Sequence, residues 1–280
     1  MDFFTEYKNK INKIDGYINE YLEKRFSEVS SELLDSMKYS VLNGGKRLRS
    51  ILCTEICTML DGDYDEALPF ASAIEFIHAY SLVHDDLPAM DNSDYRRGQL
   101  SCHKKFGETM GILCGDALLN ASYELMAENC TGYEHIKAMQ YISRCAGACG
   151  MIDGQVIDLS ISTTGKFEEN DIIKLIELKT MNLIKASVMS GALISKCNNN
   201  TLKEMETFAY DLGMAFQIRD DFEDALEDKN NNFGSPNLVN FLGEDKAKKM
   251  LSNYCDEAFE ILSKYTKGEF LRLMHKYLFK

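Results

Sequence analysis

The sequence predicts an all-α protein, a large bundle of about ten or more helices around a central cavity, and three observations predict it. Apolar residues recur at three and four positions through most of the chain, with little alternating polarity. The composition gives 14 Met but only 3 Pro and no Trp in 280 residues. The runs are parted by short Gly, Asn and Asp punctuation, and several exceed an ordinary helix. With 45% hydrophobic content the chain can bury a sizeable core. No linker, repeat or low-complexity tract divides it, so residues 1–280 are read as one domain.

Taken in order, the helical runs begin with the charged, amphipathic Met1-Asp2-Phe3-Phe4-Thr5-Glu6-Tyr7-Lys8. Breaks fall at Asn43-Gly44-Gly45, Asp61-Gly62-Asp63, Asp91 to Gly98, Thr131-Gly132, Thr163-Thr164-Gly165, Asn198-Asn199-Asn200 and Asn230 to Asn237. From Glu168 to about Lys196 the pattern is nearly continuous, with Ile172, Ile173, Leu175, Ile176, Leu183, Ile184, Val188 and Met189 on one broad face. Helices of that length suit a bundle with a cavity better than a globin-like stack.

A net charge of −13 and no long cationic run exclude a nucleic-acid binder. Any polyanion must be small and met locally. Nine Cys, an odd number without regular spacing, read as reduced thiols of a cytoplasmic protein rather than a disulfide framework. Cys145 and Cys149 are spaced for a helix face, not a zinc knuckle. No uncharged run reaches the length of a membrane span.

Two aspartate clusters, Asp85-Asp86-Leu87-Pro88-Ala89-Met90-Asp91 and Asp220-Asp221-Phe222-Glu223-Asp224, each follow an apolar run. Carboxylates kept near a core need a counter-ion. Asp220 and Asp224 lie one turn apart on one helix face, while Asp221 faces elsewhere in a supporting role. A straight helix would separate Asp85 from Asp91, so Pro88 is expected to end or bulge the helix and bring Asp91 back. Magnesium, with manganese as the alternative, binds through few carboxylates plus substrate phosphates, which is what these clusters offer. The twelve-residue alternation of a calcium hand is absent. Two solvated acidic helix ends are the bland explanation, better for either cluster alone than for both.

Gly44-Gly45-Lys46-Arg47-Leu48-Arg49 puts three cations and free N–H groups near a helix N-terminus, a second anion site. Adjacent Arg96 and Arg97 are expected to point to opposite sides and serve two phosphate groups. His78, two turns before Asp85, faces the same way, although a lone His on an apolar helix is more often a core residue.

These pieces, with His78-Ala79-Tyr80-Ser81-Leu82-Val83-His84 before the first cluster, Arg96-Arg97-Gly98, Gly115-Asp116-Ala117-Leu118, Gly154-Gln155 with Asp158, Lys179-Thr180 and Phe216-Gln217-Ile218-Arg219 before the second, resemble the trans-isoprenyl diphosphate synthases. Among them the bacterial farnesyl diphosphate synthases are most similar. The resemblance spans roughly residues 40 to 225 in consistent order. It implies an isoprenoid synthase fold, a homodimer, and condensation of isopentenyl diphosphate with dimethylallyl or geranyl diphosphate.

By that resemblance Asp85, Asp91 and Asp220 bind the metal ions that hold the allylic diphosphate, helped by Asp86, Asp221, Asp224, Arg96 and Lys179. Isopentenyl diphosphate sits on Lys46, Arg49, His78 and Arg97. Thr180 and Gln217 offer dipoles to a carbocation, and the released diphosphate can take the proton. Tyr80, with Ser81 beside it, is where the resemblance places the block that limits the product to fifteen carbons. Ideal geometry puts Ser81 rather than Tyr80 on the aspartate face, so Tyr80 as core packing is the competing reading.

One stretch departs from the pattern. After the second cluster such enzymes carry two lysines, and Ala225 to Gly243 lacks both, with Lys229 as the nearby substitute. A geranyl or geranylgeranyl diphosphate synthase, a non-catalytic partner subunit and a terpene cyclase therefore stay open. The basic cluster at Lys46 to Arg49 argues against the cyclase, and intact Asp85, Asp91 and Asp220 against the subunit.

Overall fold

Helix α1 (Phe3–Arg25) starts where Asp2 accepts hydrogen bonds from the backbone N–H groups of Phe4 and Thr5, and it buries the stripe Ile14, Ile18, Leu22. The computed structural model describes residues 2–164, 168–228 and 237–279, with the side chains of 162, 169 and 224–228 outside the described set. Next come α2 (Ser31–Leu42), α3 (Leu48–Met59) and α4 (Tyr64–Asp85). A hairpin of β1 (Tyr95–Arg96) and β2 (Gln99–Leu100) leads to α5 (Cys102–Phe106), α6 (Glu108–Glu128), α7 (Tyr133–Ala146) and α8 (Met151–Thr164). Then α9 (Glu169–Leu175), a π-helical turn (Ile176–Met181) and α10 (Asn182–Ile194) run on without interruption. The last elements are α11 (Asn199–Asp228), α12 (Leu238–Leu242), α13 (Glu244–Ser263) and α14 (Glu269–Leu278).

Helix α4 is apolar on every face, with Phe70, Ala71, Ile74, Phe76 and Ile77 fully buried, so it is wrapped by α3, α6 and α10 rather than lying on a surface. Small residues set the closest approach. A Cβ at Gly191 of α10 would stand 2.2 Å from the Cys53 carbonyl oxygen of α3. A second, smaller core of Ile172, Ile176, Met214, Ile218 and Leu238 lies under α9, the π turn, α11 and α12.

The all-helical expectation holds, and the differences are local. The turn Gly147–Gly150 between α7 and α8 is not among the expected breaks. The continuous run from Glu168 to Lys196 exists, but with a π bulge inside it. The stretch after the second aspartate cluster is helical at both ends, as α11 runs to Asp228 and α12 begins at Leu238. Lys229 and the Asn230 to Pro236 stretch lie outside the described residues. No described helix is long and apolar enough to cross a membrane.

His275 of α14 is buried between Phe259 and Phe279, with ring centroids 5.6 and 4.9 Å away. Burial pushes its pKa down to about 4. The unfolded chain therefore takes up this proton first as pH falls, so the contribution to stability is complete above about 6.5 and is lost on the way down to about 4. His275→Leu is expected to flatten the fall of the thermal midpoint between pH 7 and 4.5 by several degrees; an unchanged slope would contradict this.

Candidate active site

The chain enters α3 through three residues with positive φ, Gly44 (67°), Gly45 (114°) and Arg47 (46°). Arg47 turns inward. Its guanidinium donates to Asp15 (2.6 Å) and the Val41 carbonyl (2.7 Å) and pairs with Glu75 at 3.4 Å. Glu75 also accepts from the Ser50 N–H (3.2 Å) and Oγ (2.9 Å). Of the three cations expected to face an anion, Arg47 thus holds the turn instead, and Lys46 and Arg49 are left to the cavity.

The hairpin supplies the opposite wall. Its two-residue turn has φ of 52° at Arg97 and 77° at Gly98, the sign a tight primed turn requires. Arg96 and Arg97 then diverge, as expected of them. Arg97 donates to the Gly44 carbonyl at 2.7 Å, and its guanidinium fills the place a Cβ on Gly45 would need, 2.9 Å away. Lys46, Arg49, His78, Arg97 and Gln99 line a cavity of about 630 Å3. The Arg49 guanidinium is 3.4 Å from His78 Nε2, and its Nε has no hydrogen-bond partner. Burial pulls the pKa of His78 well below its usual value, and the arginines around it add to this, so the ring is neutral. Burial also lowers Arg49 and Arg97. Buried cations that repel one another form a site for an anion.

On the other side of Arg49 and His78 lies a second cavity of about 460 Å3, with both residues in its wall. Helix α4 ends at Asp85, and the Asp91 N–H donates back to the Asp85 carbonyl at 2.9 Å, so the chain folds over at Pro88 and returns Asp91 to Asp85. Asp85 accepts from Gln155 at 2.6 Å and stands 4.0 Å from Lys179, which itself pairs with Asp158 at 2.5 Å. Burial raises the Asp85 pKa; Lys179 opposes this and Asp91 adds to it. The π turn aims Lys179 and Thr180 at this cavity. It is clasped by α8, where a Cβ on Gly154 would come 2.7 Å from the Lys179 nitrogen. Tyr80, Leu119, Met151 and Leu183 supply the apolar wall, Ser81 also lines it, and Tyr80 is buried with its ring 5.9 Å from that of His84.

Asp220 lies near Lys46 and Arg49, close enough for their charges to act on one another, and receives a bond from Arg219 at 2.5 Å. Burial raises its pKa too. Two acids of the clusters have protein partners instead of a free face. Asp86 is 2% exposed and accepts from Arg96 Nε at 3.1 and 3.3 Å, so this pair braces the hairpin against α4. Asp221 is 3% exposed and accepts from Gln217 and from the Leu238 N–H, both at 2.7 Å, tying α11 to α12. Asp86, Arg96 and Asp221, expected on metal or phosphate, thus have protein partners here. The Asp224 side chain lies outside the described residues; its backbone continues α11.

Among the described residues no three Asp, Glu, His or Cys side chains gather closely enough to hold a metal ion by themselves. Asp85 and Asp91 are instead an oxygen-only pair crowded by like charge, which fits a hard divalent cation that completes its coordination with water and phosphate. Sequence reading missed Glu75 and Gln99 and quoted Gln155, Asp158 and Arg219 without giving them a task. A lone Glu in the apolar α4 and a lone Arg beside Asp220-Asp221 were signals available for two of these.

The polyprenyl synthetase family model matches residues 30–245. The farnesyl diphosphate synthase of Micrococcus luteus is 34% identical over 255 residues, 88% of this chain and 87% of that protein. That of Geobacillus stearothermophilus is 37% identical over 244 residues, 84% of this chain and 78% of the other. A geranylgeranyl diphosphate synthase of Cyanophora paradoxa is 40% identical over 199 residues, 69% of this chain and 66% of that protein. The crystal structure of an FPP/GFPP synthase from Zymomonas mobilis superposes with a TM-score of 0.89 at 31% identity, covering 99% of both chains.

Proposed function

Because the chain belongs to the polyprenyl synthetase family and is a prenyltransferase, we propose that it condenses isopentenyl diphosphate with dimethylallyl or geranyl diphosphate to farnesyl diphosphate and diphosphate, as a magnesium-dependent cytoplasmic homodimer. The observation that carries this reading is the pair of cavities, one cationic and one with aspartates and an apolar wall, that share Arg49 and His78. A cyclase with one diphosphate substrate has no use for the first cavity.

Isopentenyl diphosphate sits on Lys46, Arg49, His78 and Arg97, and the allylic diphosphate lies at the Asp85 end of the second cavity with its chain toward Tyr80. Asp85, Asp91, Asp220 and Asp224 would hold Mg2+, or Mn2+, which would supply positive charge to the departing diphosphate. Lys179, held between Asp85 and Asp158, adds a fixed positive charge there. Thr180 and Gln217 offer oxygen dipoles to the allylic cation, and Asp221, by taking the Gln217 amide nitrogen, fixes which end of that amide is offered. Met151, Leu119 and Leu183 keep water from the cation, and the shared wall sets the second substrate beside it. Asp86 and Arg96 act as positioning residues behind Arg97.

Tyr80 and Ser81 line the second cavity one to two turns before Asp85 on α4, where an aromatic ring closes the depth available to the product. Tyr80→Ala is expected to move the main product from fifteen to twenty carbons or more, read by chromatography of the dephosphorylated alcohols. An unchanged fifteen-carbon product would sink the chain-length assignment. A twenty-carbon wild-type product is the second reading, favoured by the relatives named geranylgeranyl diphosphate synthase.

A further inference from the structure

Helices α11 and α13 pack antiparallel, with Lys264 paired to Glu204 at 2.8 Å, Tyr210 facing Tyr254 at 6.1 Å between ring centroids, and Asp211 and Glu257 close enough for their charges to act on one another. The groove between the two helices, about 300 Å3, is lined by Glu204 and Asp211 of α11 and by Glu257, Glu260, Ile261 and Lys264 of α13. Its two ends differ. At one end Glu204 is satisfied, by the Lys264 ammonium and by the Tyr265 hydroxyl at 2.6 Å. At the other, Asp211 is 3% exposed, and its Oδ2 has no hydrogen-bond partner among the described residues. No described Lys or Arg pairs with Glu257 or Glu260. We propose that this groove binds an aliphatic polyamine, with one ammonium on Asp211 and Glu257, the hydrocarbon stem along Ile261 and a further ammonium at Glu260.

A carboxylate oxygen taken out of water without a donor destabilises the fold, and a bound donor removes that cost. Burial and the neighbouring Glu257 push the Asp211 pKa up to about 6, so at neutral pH the group is still mainly the anion. An alkylammonium carries three N–H donors on a compact head and can meet Asp211 and Glu257 together, as Lys264 meets Glu204 two turns along α13. A bare metal ion fits less well, because among the described residues no three acids come close enough to hold one. Acids strung along a groove with Ile261 among them instead suit charges carried on a hydrocarbon chain, whose stem is buried while its heads stay hydrogen-bonded. The net charge of −13 attracts any polycation but selects no position, whereas the unpaired Asp211 does. None of the six residues lines either of the cavities that share Arg49 and His78, so the site stands independently of the diphosphate reading.

The test is calorimetric titration of the whole protein with spermidine at physiological ionic strength and without magnesium. One saturable site is expected, weakened about tenfold or more in Asp211→Asn and in Glu257→Gln, since each removes half of a charge-assisted pair. Glu257 is exposed, so its variant keeps the test valid where a change at the buried Asp211 disturbs packing. Glu32→Gln, an exposed position on α2 that alters the net charge equally, is expected to bind as wild type does. An equal loss in Glu32→Gln, or unchanged affinity in both Asp211→Asn and Glu257→Gln, would overturn the proposal in favour of diffuse attraction. Binding that is lost in Asp85→Asn and kept in Asp211→Asn would also overturn it, by placing the amine at the first aspartate cluster. Magnesium chloride at the concentration of the spermidine is expected not to displace it, and displacement would refute the choice of an organic cation.

Discussion

Asp85→Asn is expected to lower kcat by about 10^3-fold or more, some 4 kcal/mol of transition-state stabilisation, while the fold is retained. The two effects separate because of where the carboxylate stands. It ends α4 beside Asp91, its charge is disfavoured by burial, and its nearest cation, Lys179, already has a partner in Asp158. Removing the charge therefore relieves repulsion in the ligand-free protein and removes the oxygen donor that the allylic diphosphate and its metal need. The thermal midpoint should stay within a few degrees of wild type, and kcat with geranyl diphosphate at saturating magnesium should collapse. Activity within tenfold of wild type would remove Asp85 from the machinery.

Glu75→Ala is expected to have the opposite profile, a loss of about 3 kcal/mol or more of stability that lowers the thermal midpoint by roughly 5–10 °C. Glu75 is 3% exposed and accepts from Arg47 and from the N–H and hydroxyl of Ser50, so its removal leaves the Arg47 guanidinium, 4% exposed, with Asp15 alone as a charged partner among the described residues. Arg47 sits in a left-handed conformation at the start of α3, which a non-glycine residue holds only when its surroundings fix it. Losing Glu75 should therefore also loosen Lys46 and Arg49 and raise KM for isopentenyl diphosphate. Denaturant unfolding of Glu75→Ala against Glu75→Gln checks it, since the amide keeps a hydrogen-bonding oxygen and should lose less. Equal stability of both variants and wild type would contradict the role given to this pair.

Much of the fold is legible because helices write their period into the chain. The apolar spacing of α1 and the all-round apolar α4 announce a bundle, and Pro88 announces the fold-over that returns Asp91 to Asp85. What sequence could not show is which neighbour each charge finds. Asp86 and Asp221 look like their adjacent aspartates, yet one faces Arg96 across the hairpin and the other faces the Leu238 N–H beyond the Asn-rich stretch. Their partners are ten or more residues away, and helical periodicity carries no information at that range. The π turn escapes for a related reason. It depends on Gly154 letting the α8 backbone press against Lys179, a contact between two runs that each read as ordinary helix.

The measurement that tests the central claim most directly is incubation of the purified protein with isopentenyl diphosphate, magnesium and either dimethylallyl or geranyl diphosphate, followed by chain-length analysis. The two cavities that share Arg49 and His78 predict condensation, the Tyr80 assignment predicts a fifteen-carbon diphosphate from both starters, and no product is expected after chelation. Binding of both diphosphates without any condensation would contradict it, and would place the chain among partner subunits that keep the fold without the reaction.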